Sequence, residues 1–92
     1  MLDLAFTTQF KKDMKRRRKQ GAKLEKIDAV ITALRKGETL PVGLHDHELS
    51  GIYRGHRECH VEPYWLLIYR IDQSLLVLTA VRTGSHSELF SM

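Results

Sequence analysis

The sequence predicts an α+β fold, with two N-terminal helices packed on an antiparallel sheet and a short C-terminal helical turn. Three observations carry that reading. Apolar residues recur at helical spacing up to about residue 36, Pro and Gly interrupt the chain from Leu40 to Gly51, and strand-like apolar runs follow. The order strand, helix, helix, antiparallel meander puts the helices on one face of a sheet. Ninety-two residues with 42% hydrophobic content suit a single domain over 1–92 with a modest core.

The elements follow in order. Leu2 to Phe6 is a short strand, and Thr7 or Thr8 can cap the helix after it. In that helix Phe10 and Met14 stand four residues apart on one face, and Gly21 ends it. A second helix runs from about Lys23 to Lys36. Leu24, Ile27, Ile31 and Leu34 form its apolar stripe, and Arg35-Lys36-Gly37 gives a basic last turn with a terminating glycine. Leu40 to Gly51 reads as a loop anchored by Leu44 and Leu49. Strands are expected at Ile52 to Val61, Tyr64 to Ile71 and Leu75 to Thr83, with Asp72-Gln73-Ser74 turning between the last two. Trp65 to Ile71 is apolar at nearly every position, as suits a central strand covered on both faces. Ser85 to Phe90 adds the final helical turn.

Charge divides the chain. Residues 1–46 carry 11 Lys+Arg against 6 Asp+Glu, and residues 47–92 carry 4 against 5. The whole basic surplus therefore lies in the first half, densest at Lys11, Lys12, Lys15, Arg16, Arg17, Arg18 and Lys19, where only Asp13 opposes it. A run of this kind is ordinarily a solvated helix face, but its density favours contact with the backbone of a nucleic acid. Few large apolar residues accompany it, so no membrane partner is expected. Without a basic leader, a spanning apolar run or a second cysteine to pair with Cys59, the chain reads as cytoplasmic.

The second half holds four of the five histidines and four arginines but no lysine. A metal centre is disfavoured because the histidines and Cys59 do not recur at paired-ligand spacings, and Cys59 and His60 point to opposite faces of a strand. Cys59 reads as a small buried apolar residue. Neither metal nor cofactor is expected. The other chemistry open to histidine and arginine is RNA cleavage by the ribose 2′-oxygen, which needs a base, an acid and a cation. His47 in the loop, His60 near a strand end and His86 past the last strand can converge on one sheet edge. Each taken alone reads as a surface or structural histidine. Arg82 ends an apolar strand and needs a carboxylate or a phosphate, with phosphate favoured; Arg57 pairs with Glu58 or Glu62. Trp65 and Phe90 fit core packing or stacking on unpaired bases.

The tracts DHELSG (46–51), RECHVEPYWLLIYRI (57–71) and RTGSHSELF (82–90) resemble the RelE/YafQ family of bacterial toxin ribonucleases, most closely its YafQ-like branch. The resemblance implies a RelE/ParE-like fold and a type II toxin that cuts mRNA in the ribosomal A site until a cognate antitoxin, small, acidic and partly disordered, folds onto it. It also assigns His47, His60, His86 and Arg82 to catalysis and Trp65 and Phe90 to substrate contact, with Tyr64 beside them. Relatives in the branch carry aspartate where this chain has Tyr64, and tyrosine, with a reference pKa of about 10, is a poor base. The rival reading is a toxin of the same fold that cuts nothing, for example a topoisomerase inhibitor or a nucleic-acid-binding module.

Overall fold

The computed structural model describes residues 1–90; Ser91 and Met92, the end of the expected domain, lie outside them. Strand β1 (Asp3–Phe6) leads into helices α1 (Thr8–Lys19) and α2 (Leu24–Arg35). A 3-10 turn at Val42–Leu44, the two-residue strand β2 (His47–Glu48) and a second 3-10 turn at Gly51–Tyr53 follow. Strands β3 (Arg57–Glu62), β4 (Trp65–Asp72) and β5 (Val77–Gly84) then precede the short helix α3 (His86–Phe90). The sheet order is β1-β5-β4-β3-β2.

Local chemistry accounts for the helix ends. Thr7 Oγ1 accepts from the Phe10 N–H at 2.9 Å and donates to the Val81 carbonyl at 2.6 Å, so one hydroxyl caps α1 and ties it to β5. At the end of α2, Gly37 takes a φ of 75°, its N–H bonding to the Leu34 carbonyl and that of Glu38 to the Ala33 carbonyl.

Three expectations need correction. The sheet is mixed, because β1 runs parallel to β5 while β2 to β5 are antiparallel. The expected loop contains β2. The strand expected from Ile52 begins at Arg57 instead, since Gly51 and Gly55 adopt positive φ of 68° and 87° and turn the chain where Ile52 and Tyr53 suggested extension.

Both sheet faces are covered. On one, Trp65, Leu67, Tyr69, Cys59, Val61, Leu78 and Ala80 pack against Phe10 of α1 and Ile27, Val30, Ile31 and Leu34 of α2, with Leu44 at the margin. On the other, Leu66, Ile68 and Leu89 form a smaller cluster with Leu49, Tyr53, Val81 and Phe90. Alternation along β4 thus supplies both cores, as its sequence predicted. A fully buried aliphatic or aromatic side chain contributes about 1.5–3 kcal/mol, so the larger face dominates stability.

Two bulges decide which polar residues share the smaller face. In β5, Ile68 pairs with Arg82 but Tyr69 pairs with Ala80, leaving Val81 as an extra residue. Strict alternation would align Arg82 with Leu78 and Ala80, toward the helices. The bulge moves it to the face of Ile68. In β3, His60 pairs with Leu66 and Glu62 with Trp65, so Val61 is bulged. Glu62 is thereby turned to the helix side, where it meets Lys26 of α2 at 3.2 Å.

Candidate active site

Register places His47 opposite Glu58, Glu58 opposite Ile68 and His60 opposite Leu66, so His47, Glu58 and His60 share the smaller face with Arg82. Glu58 lies at the centre and is only 3% exposed. Its Oε1 is 3.6 Å from His47 Nε2 and 3.9 Å from His60 Nε2, and its Oε2 has no hydrogen-bond partner within the chain. These are ion-pair distances, too long for hydrogen bonds. His47 Nδ1 donates to the His45 carbonyl at 2.6 Å. A carbonyl can only accept, so the neutral ring carries its proton on Nδ1 and turns a free Nε2 lone pair toward Glu58. The geometry thus leaves Nε2 as the nitrogen of His47 that can accept a proton. His45, which the sequence did not single out, stands edge-on to His60 with ring centroids 5.5 Å apart.

The neighbouring residues fix this loop from the other side of the strand. Asp46 accepts from the Tyr69 hydroxyl at 2.6 Å and from Arg57 Nε at 3.2 Å. Arg57 therefore pairs with Asp46, and at 3.7 Å with Glu48, in place of the expected Glu58 or Glu62; it lies opposite Tyr69, one residue out of phase with Glu58. Cys59 is buried. Burial, with the Asp46 and Glu58 charges nearby, pushes its thiol up to about 12, so it is an apolar core residue and no thiolate nucleophile.

Arg82 donates from Nε to Asp13 Oδ2 at 2.8 Å and from Nη2 to Asp13 Oδ1 at 3.1 Å. Within the chain its partner is a carboxylate, since α1 delivers Asp13 to the end of β5, a contact across 69 residues. His86 opens α3 two residues beyond Gly84, which pairs with Leu66 as His60 does from the other side. That register sets His60 and Gly84 about two strand spacings apart, roughly 10 Å, with His86 two residues beyond Gly84. The His86 ring lies 4.9 Å from Phe90, and Phe90 packs edge-on to Tyr53 at 5.8 Å. His47 and His60 are thus gathered on Glu58, whereas His86 stands apart from them at the start of α3, against Phe90.

Two aromatic expectations separate. Trp65 is 1% exposed, gives its indole N–H to Thr83 Oγ1 at 2.8 Å and lies under the Arg17 guanidinium at 4.9 Å; its place in the helix-side core closes it to base stacking. Tyr64, in the β3–β4 turn, is 85% exposed and open to a substrate, and Phe90 is half-buried.

The basic helix divides as well. Lys11, Lys12, Lys15 and Arg18 line an open groove with Thr8, Met14 and Leu24, and Lys19 is exposed. Arg16 and Arg17, expected among the backbone contacts, have internal partners: Arg16 bonds Glu88 at 3.2 Å, and Arg17 covers Trp65 and donates to Gln20 at 3.0 Å. Gly84, at φ 155°, lets Glu88 approach closely, since an added Cβ would stand 2.9 Å from Glu88 Oε1. That oxygen accepts from the Ser85 N–H at 2.7 Å. Among the described residues, no group of three or more His, Cys, Asp or Glu is arranged to hold a metal ion, and no helix is long and apolar enough to cross a membrane.

Two helices on one side of a five-stranded sheet, and histidines, a carboxylate and an arginine on the other, define an α+β toxin of the RelE type, as the three sequence tracts implied. Residues 2–91 match the family of the bacterial toxin of type II toxin-antitoxin systems, YafQ, and the chain belongs to that family. It is 37% identical over 89 residues to the mRNA interferase toxin YafQ of Escherichia coli strain K12, covering 96% of this chain and 95% of that protein. A metal-bound toxin from Helicobacter pylori superposes with a TM-score of 0.92 at 39% identity, over 98% of this chain and 100% of that one. YafQ in the E. coli DinJ–YafQ complex superposes with a TM-score of 0.88 at 35% identity, over 99% of this chain and 100% of that one.

Proposed function

We propose that this protein is a cytoplasmic endoribonuclease that cuts mRNA in the ribosomal A site and is held inactive by a cognate acidic antitoxin. The observation that carries the reading is the pairing of His47 and His60 on buried Glu58, on the sheet face that also bears Arg82. The interferase activity of E. coli YafQ and its complex with DinJ support it by family likeness.

In this scheme His47 Nε2, backed by Glu58, takes the proton from the ribose 2′-hydroxyl. The 2′-oxygen attacks phosphorus, the bond to the 5′-oxygen breaks, and His86 delivers a proton to that leaving oxygen. The products are a 2′,3′-cyclic phosphate and a 5′-hydroxyl. Arg82 neutralises charge on the phosphoryl oxygens, while His60 holds the opposite side of Glu58 and can share the base's duty. The scheme calls on no metal. Tyr64 and Phe90 contact the unstacked bases, and Lys11, Lys12, Lys15 and Arg18 contact phosphates. An acidic antitoxin segment would compete for that same basic groove.

Mapping the 5′ ends of cellular mRNA after induction tests this reading. New 5′-hydroxyl ends confined to translated frames are the expected result. Equal cutting of naked RNA would remove the ribosome from the scheme, and unchanged mRNA beneath a growth arrest would return the chain to the non-nuclease alternative.

A further inference from the structure

We infer that Asp13, an aspartate inside the basic run of α1, is the positioning residue for Arg82, fixing the guanidinium so that its Nη1 edge is presented to the sheet face that bears His47 and His60. The inference rests on the nuclease reading above. Asp13 is only 1% exposed, although it stands among seven basic residues in nine. Its carboxylate accepts from Arg82 Nε and Nη2 at 2.8 and 3.1 Å, from the Thr83 N–H at 3.1 Å and from Gln9 Nε2 at 3.1 Å, with Arg16 Nη2 at 3.5 Å. Its lone pairs are thus saturated from four residues. A two-point grip on a planar guanidinium fixes both its position and its plane, which a single bond cannot do.

The grip also leaves chemistry available. Arg82 spends the Nε proton and one Nη2 proton on Asp13, which leaves the outer pair on Nη1 and the second Nη2 proton, with the Tyr53 hydroxyl as their neighbour, for phosphoryl oxygens. Without the anchor, the Val81 bulge that brings Arg82 to this face would carry a flexible side chain with no preferred direction. Asp13 touches no reacting atom and acts through Arg82. The same helix steadies the proposed acid as well: Arg16, one turn after Asp13, bonds Glu88, which holds the first turn of α3 behind His86.

The test is a double-mutant cycle on single-turnover cleavage of mRNA bound to programmed ribosomes, using Asp13→Asn, Arg82→Ala and the pair. Asp13→Asn should slow the cleavage step about 100-fold, the scale of loss from a misplaced catalytic group. Binding to the programmed ribosome should be little changed. The same substitution made on Arg82→Ala should cost almost nothing more, because its target is gone. Asp13→Glu keeps the buried charge pair but displaces the guanidinium by a methylene; it should also cleave slowly while still unfolding in one cooperative transition, at a somewhat lower temperature than the parent protein. Losses that multiply in full in the pair overturn the inference, as does wild-type cleavage by a folded Asp13→Glu protein. Wild-type cleavage by Arg82→Ala overturns the nuclease reading beneath it, and is seen in the single variant before Asp13 enters.

Discussion

On the helix-covered face of the sheet the large polar side chains are bonded at short range: the Trp65 indole to Thr83 at 2.8 Å, Thr83 in turn to the Leu66 carbonyl at 2.6 Å, and the Tyr69 hydroxyl to Asp46 at 2.6 Å. On the opposite face Glu58 is just as deeply buried, yet its nearest histidine nitrogen is 3.6 Å away and one of its oxygens has no partner in the chain. A buried polar group left unpaired costs about 1–3 kcal/mol. One face therefore bonds its buried polar atoms, Arg17 Nε above Trp65 excepted, and supplies most of the stability, while the other leaves a carboxyl oxygen unpartnered where the proposed proton transfer would occur. This contrast separates framework from chemistry more cleanly than exposure does.

The strongest way to break that contrast is to empty the framework. Trp65→Ala should destabilise the fold by about 3–5 kcal/mol, the usual cost of deleting a buried tryptophan, a loss to be read from urea unfolding. A Trp65→Ala protein that unfolds like the parent but fails to cleave would move tryptophan from framework to substrate contact. Next in size, His86→Ala should slow cleavage by about 10² to 10⁴ and leave the urea midpoint where it was, since His86 is exposed. Near-normal translation arrest by that variant would defeat its role as acid.

Glu58→Gln sharpens the contrast at its centre. Losing the carboxyl partner of the histidines should cost about 1–3 kcal/mol of barrier, or roughly five- to 160-fold in rate. Because the buried charge disappears with it, stability should hold or rise; a large fall in stability with intact cleavage would make Glu58 a framework residue. The smallest effect is set by pH. Burial raises the Asp13 carboxyl, but bonds from Arg82, Gln9 and Thr83 outweigh it and hold the net value below the ordinary carboxylate value; the Ser85 N–H does the same for Glu88, against a smaller burial effect. A folded value below the unfolded one means that this stability is present above about pH 4 and is lost as pH falls through the depressed values. Acid titration of the urea midpoint should therefore fall more steeply in the wild type than in the Asp13→Asn, Arg82→Ala pair.

Periodicity made the framework legible. The Leu24-Ile27-Ile31-Leu34 stripe gives α2 to within a residue at each end, and the unbroken apolar run after Trp65 marks the strand with both faces covered. The site was legible only as a set of residue types. Bulges at Val61 and Val81 leave no mark in composition, yet they decide that Arg82 shares a face with His60 and that Glu62 does not. Glu58 looked like a partner for Arg57 because charge adjacency along a strand says nothing about facing. Asp13 was hidden in a basic run, its true neighbour 69 residues away.

The parallel pairing of β1 with β5 has a consequence in time. Asp3 to Phe6 are made long before Val77 to Ala80, the strand they join. The bonds from Thr7 to Val81 and from Asp13 to Arg82 span 74 and 69 residues and wait for the same event. Contacts of such long sequence separation form late and slowly. During synthesis the helices and the β3–β4 hairpin can form while Arg82 has no anchor, so on the proposed scheme the site is completed only as β5 closes the sheet.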